Sequence, residues 1–299
     1  MRTNFTARFT TAMLAITLLQ SVAGRAQWVT SGPEGGIIHA LVADRNNLFA
    51  GTSYGVYRSR DNGVQWELLS TDMTDQRIQC IVIVNRIIYV GTQSGGVCRS
   101  TDGGESWRSA NSGLSSSNVQ ALAVAGGLLI ACTQAGGVYV STNLGATWER
   151  RCNGLLHNNI MSVAVLDNSW FAGTLGGGVY RSADHGATWS TVNSGLSATD
   201  IWTIANCGGV LFAGTLGGGA FRSTDKGVTW TPVNAGLGCL YVSSFVGSGG
   251  SLYAGTTNCG VFVTIDGGNS WGAANLGITN LNVQSLAAKD GILFAGTWL

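Results

Sequence analysis

The stretch Ser100-Thr101-Asp102-Gly103-Gly104-Glu105-Ser106-Trp107 returns along the chain in the form S-x-D-x-G-x-x-W. The tryptophans of its six copies, Trp66, Trp107, Trp148, Trp189, Trp230 and Trp271, stand 41 residues apart. So do Asp61, Asp102, Asn143, Asp184, Asp225 and Asp266. Asn143 replaces the aspartate once and Thr264 replaces the serine once, and both substitutes can make the same local hydrogen bonds. A short carboxylate or amide accepts from backbone N–H groups nearby and closes a turn. The glycine after it supplies a backbone conformation costly for other residues. The motif is thus a turn with a large aromatic leaving it, repeated six times in register, and these residues are structural.

Outward from each box the same short segments recur. In one copy, 119–124 and 129–133 are apolar runs, 138–141 leads into the box and 147–150 leaves it. Runs of four to six residues between glycine-rich turns are strands, and no stretch keeps a helical period. Four strands per period of about 40–45 residues make a propeller blade. The first-strand pattern occurs seven times, near Ile37, Ile78, Val119, Ile160, Ile201, Val242 and Val283. The second-strand pattern, of the type Phe-Ala-Gly-Thr, also occurs seven times, ending at Thr297. The sequence therefore predicts an all-β, seven-bladed propeller of four-stranded antiparallel blades. The strand after Gln27, carrying Trp28, is expected to close the ring as the outermost strand of the last blade. That blade is expected to lack its third strand, because the sequence stops at Leu299 where earlier copies continue; it reads as a copy cut short of a longer protein.

The box residues bring a family with them. The chain resembles the Asp-box (BNR, bacterial neuraminidase repeat) propellers over residues 28–299, and most of all the secreted tandem-repeat and photosystem II assembly factor types. Sialidases, xyloglucan-cleaving glycoside hydrolases and sortilin-type receptors carry the same box. The resemblance implies the fold, and it implies that the box lies away from the face usually used for function.

Composition narrows the function classes. The 299 residues carry a formal net charge of +1 and only 10% charged side chains, so no bulk field favours nucleic acid. Arg2 and Arg8 precede the apolar run 12–19 and the small residues Ala23, Gly24 and Ala26, the layout of a secretory leader. Residues 1–26 are expected to be that leader and 27–299 the propeller, placed outside the cytoplasm as a monomer with no membrane span in the mature chain. Seven cysteines lie far apart without a C-x-x-C pair, which gives a metal site no support. No cofactor is expected. Cys239 and Cys259 fall in neighbouring loops of one blade and are expected to form a disulfide.

Binding sites of propellers gather where one blade joins the next. Just before each first strand stand Arg77, Asn118, Asn159, Asp200, Tyr241 and Asn282, a ring of candidate ligand-binding residues. Glycoside hydrolysis needs two carboxylates facing each other. Of the acids outside the boxes only Asp72, Asp75 and Asp200 lie in joining loops, which leaves Asp75 and Asp200 as weak catalytic candidates. The repeated Arg58, Arg99, Arg181 and Arg222 read as structural. The expected function is therefore a non-enzymatic exported scaffold binding a protein or a surface polysaccharide. The alternative is a xyloglucanase- or sialidase-like glycoside hydrolase.

Overall fold

A computed structural model describes residues 13–17, 28–33, 36–44 and 46–298. Six blades are built from consecutive strands, at residues 38–68, 78–109, 119–150, 160–191, 201–232 and 242–273. Within each, neighbouring strands pair antiparallel in sequence order. A seventh four-stranded sheet is a composite of the two ends of the described chain. Val283–Lys289 and Ile292–Thr297 form its inner strands, Met13–Thr17 its third and Trp28–Thr30 its outermost.

The expectation of seven repeat blades with the last unfinished is corrected on both counts. The repeat completes six blades along the chain, and the remaining sheet is not short of a strand: Met13–Thr17 lies between Ile292–Thr297 and Trp28–Thr30. The physical reason is that an apolar run of five residues fits a strand position as well as it fits a leader, and an open edge next to it offers unpaired backbone groups. The rest of the segment read as a leader lies outside the described residues.

Each box closes as its residues dictate. Ser100 Oγ donates to Asp102 Oδ1 at 2.7 Å and accepts from Gly104 N at 2.8 Å, while Ser106 N donates to Asp102 Oδ1 at 3.0 Å. Gly104 has φ of 102°, and a Cβ there would sit 2.5 Å from Leu69 of the preceding blade. Trp107 then reaches back, its Nε1 donating to the Leu69 carbonyl at 3.1 Å. The same backward bond runs from Trp148 to Ala110, Trp189 to Arg151, Trp230 to Val192 and Trp271 to Val233. Trp28 makes it too, to Ala274 at 2.5 Å, although no box precedes it.

The core accordingly lies between blades. Trp189 of one blade packs with Ile130, Cys132 and Val138 of its neighbour. Arg58, Arg99 and Arg222 cross the same seams to the box carbonyls of Gly103, Leu144 and Gly267.

Candidate functional site

Along every first strand one residue drops out of the ladder at a β-bulge. The register shifts between Ile38 and Ala40, Ile78 and Cys80, Val119 and Ala121, and at the equivalent place in all seven sheets. The residue before each bulge is fully or almost fully buried in the seam, from Ile38 to Val283. A bulge leaves its extra residue unpaired and re-aims it. Here the seven re-aimed residues are His39, Gln79, Gln120, Met161, Trp202, Ser243 and Gln284, and they line one cavity of about 160 Å3 where the first strands converge.

This ring sits two residues beyond most of the positions singled out from sequence. A signal was there to be read: a polar residue between a branched and a small one, as in Ile78-Gln79-Cys80, Val119-Gln120-Ala121 and Val283-Gln284-Ser285, inside strands otherwise apolar. Two of the earlier candidates join the ring through it. Gln120 Nε2 donates to Asn118 Oδ1 at 2.6 Å, and Gln284 Nε2 donates to Asn282 Oδ1 at 3.0 Å. Burial holds the His39 imidazole below its usual pKa, and its Nε2 lies 3.2 Å from Ser53 Oγ.

The other candidates are spread along the rim. Arg77 pairs with Asp75 at 3.0 Å and donates to Ser94 Oγ at 2.6 Å. Asn159 Oδ1 accepts from Ala135 N in the turn of the preceding blade. Asp200 is exposed, and its carbonyl accepts from Leu216 N. That last bond belongs to a repeat: the carbonyls of Arg77, Asn118, Asn159, Tyr241 and Asn282 each accept from the turn after the second strand of their own blade. The shared position thus has a structural duty carried by its backbone, whatever its side chain.

Asp75 is already held as a carboxylate by its own loop. Burial alone would raise the Asp75 pKa, but donation from Arg77 and Ser94 outweighs it and holds the carboxyl at about 2. Its Oδ2 accepts from Ser94 N, Ser94 Oγ and Gly95 N, so the group is fully committed to tying a loop to a turn. Neither Asp75 nor Asp200 lines the channel cavity or the groove beside it.

That groove, of about 240 Å3, opens beside the ring over the fifth to seventh blades and shares Trp202, Ser243 and Gln284 with the channel. Tyr241, Asn282 and Trp298 complete its rim. Cys239 is bonded to Cys259, with Cα atoms 6.0 Å apart, inside the span a disulfide bridges. The larger cavity of about 510 Å3 lies on the opposite face, among the turn Gly247–Gly250 and the box of blade six, and Arg222 on its wall is already bonded to Gly267 and Asn269. Among the described residues no group of three or more His, Cys, Asp or Glu could hold a metal ion. No helix there is long and apolar enough to cross a membrane.

The model of the DUF6242 β-propeller domain matches the chain twice, over residues 38–170 and 158–289. The chain belongs to this family. No curated protein matches it. Among solved structures it is similar to the extracellular domain of BT4673, described as a one-component system of B. thetaiotaomicron (18% identity, TM-score 0.74, covering 89% of this chain and 38% of that one). It is similar to YCF48 bound to D1 peptide (16%, TM-score 0.69, 89% and 95%). It is also similar to the GH74 xyloglucanase of Xanthomonas campestris (18%, TM-score 0.68, 88% and 51%). The DUF6242 chain spans about two fifths of the Bacteroides domain. At these identities the likeness shows the propeller fold and nothing finer.

Proposed function

We propose that this DUF6242 propeller is an exported, non-catalytic binding scaffold of the Asp-box group, which captures an extended polar ligand, a protein segment or a surface polysaccharide, at the mouth of its channel. One observation carries the reading: seven bulged residues, rich in amides, converge on a cavity that opens into a groove with exposed aromatic side chains, and no facing carboxylates accompany them. Concave sites with a few convergent polar groups are where ligands bind. The leader layout of residues 1–26 and the extracellular setting of the Bacteroides neighbour support export. A neighbour of the same fold that holds a peptide supports a binding role.

The test is biolayer interferometry of the full chain against panels of soluble polysaccharides and of peptides, repeated with Gln120→Leu and Gln284→Leu. Binding reduced about tenfold by either substitution, with an unchanged melting temperature, is the expected result. Binding indifferent to both would remove the channel mouth from the reading. Release of reducing sugar, abolished by Asp75→Asn or Asp200→Asn, would replace binding by hydrolysis.

A further inference from the structure

The ring of the channel mouth is not uniform. At the position two residues before each bulge-ring neighbour the rim of the second to fourth blades carries Arg77, Asn118 and Asn159, all tied to nearby groups. Over the fifth to seventh blades it carries Asp200, Tyr241 and Asn282, and aromatic side chains from other positions gather beside them. Tyr241 is 52% exposed and Trp298 43% exposed, and Trp202 also lines the groove. Large apolar groups left in water over a cavity are unfavourable unless something covers them.

The backbone that carries Tyr241 and Trp298 is also held in place. Leu240 O accepts from both Gly217 N and Gly219 N of the fifth blade, and Tyr241 O accepts from Thr257 N of the sixth. The Cys239–Cys259 disulfide ties the loop before Tyr241 to the turn after Thr257. Trp298 is fixed through its N–H to the Asn282 carbonyl and through its own carbonyl to the Asn280 amide. A rigid platform loses less conformational entropy when it binds.

Two features choose the chemistry of the occupant. No side chain lining the groove is ionisable in the neutral range: Leu216, Val242, Thr257, Ser243, Asn282 and Gln284 surround the aromatic groups. An anionic ligand would find no counter-charge there. The rim carbonyls of Leu240, Tyr241 and Asn282 are already taken by N–H groups of neighbouring turns, so an extended peptide would gain no backbone ladder of the kind that strand addition needs. What remains is recognition by flat apolar faces together with amide and hydroxyl groups.

Resting on the reading of the channel mouth as a binding site, we infer that the Trp202–Tyr241–Trp298 groove binds a neutral oligosaccharide. The sugar rings lie with their C–H faces on Tyr241 and Trp298, and the Asn282 and Gln284 amides meet hydroxyls. Aromatic groups with one polar end suit a surface that is half apolar and half wet.

Affinity electrophoresis of the full chain in gels holding laminarin, galactomannan or hydroxyethylcellulose tests this, with polygalacturonate as the charged control and a neutral peptide panel beside it. At least one neutral polysaccharide should retard the chain, and Trp298→Ala and Tyr241→Ala should each weaken that retardation about tenfold. Both side chains are exposed, and an unchanged melting temperature shows that the fold is intact; Trp298→Phe should restore most of the binding. Retardation by polygalacturonate alone, or retardation by neutral glycans that ignores both alanine variants, overturns the inference. Peptide binding lost in Trp298→Ala, without any glycan binding, overturns it too while leaving the propeller a binding scaffold. No binding by any probe removes both readings.

Discussion

At the scale of single residues, the seams between blades are closed by the absence of side chains as much as by their presence. A Cβ on Gly255 would stand 2.5 Å from Ser244 Oγ and 2.7 Å from Val283 Cγ1 of the next blade. Gly51, Gly91, Gly173, Gly214 and Gly296 likewise face Ile78, Val119, Ile201, Val242 and Ile38 of their next blades. Only Cys132 departs from the rule, and there the residue across the ladder is the small Ala121. Gly255→Ala should therefore cost about 1–3 kcal/mol by overpacking, read from urea unfolding. Ser244 Oγ is buried without a partner, so Ser244→Ala should be close to neutral and, combined with Gly255→Ala, should recover part of the loss. An unchanged midpoint for Gly255→Ala would mean that adjacent blades are not in contact at this glycine.

At the scale of the element, the box turns are charged devices on the surface. Donation by Thr188 and Ser182 holds the Asp184 carboxyl at about 2, and donation by Thr229 and Ser223 does the same for Asp225. Asp102 and Asp266 are depressed further by Ser106 and Ser270. A carboxylate whose folded pKa lies below its unfolded value, 3.8, stabilises the fold above that value and stops doing so as pH falls through the folded one. The box turns should thus leave the melting temperature level from pH 7 to about 5 and lower it from about 4 towards 2, in addition to a decline that begins near pH 6.5 because the buried His39 imidazole resists taking its charge. Asp184→Asn should behave at pH 7 like the natural Asn143 turn, whose Oδ1 accepts from Thr147 N at 2.9 Å, and should fall less steeply in acid. An acid slope identical to that of the parent chain would show that the box carboxylates do not set it. Such turns are legible in a sequence because their geometry demands particular residues at fixed spacing. The bulge that delivers Gln79 and Gln284 to the channel has no such demand. It follows from the convergence of seven first strands, and so a reading of the chain placed the candidates two residues upstream, on Arg77 and Asn282, where a loop ends. Asp75 looked available in the sequence because its partners Ser94 and Gly95 lie 19 and 20 residues away, across a hairpin.

At the scale of the whole molecule, the ring is closed by two segments with different claims to their places. Trp28 is 2% exposed and bonded to the sixth blade twice, through Nε1 to Ala274 O and through N to Leu276 O at 2.8 Å. It does what the box tryptophans from Trp107 to Trp271 do, so the outermost strand of the composite sheet is anchored without help from its neighbour. Met13–Thr17 has no box behind it and is also the centre of the run that reads as a leader. It cannot both be removed on export and pair with Gly296 and Trp28. A chain beginning at Gln27 separates the two fates. Without Met13–Thr17, one edge of Ile292–Thr297 loses its partner, and an unpaired edge exchanges its amides and recruits other strands. Hydrogen exchange should quicken at 292–297 relative to the chain from Met1, while Trp28 stays protected by its two bonds to the sixth blade. Weak self-association through the open edge should appear in sedimentation at the same time. Equal protection of 292–297 in both chains would mean that Met13–Thr17 contributes no strand in solution, and the leader would then be its sole role.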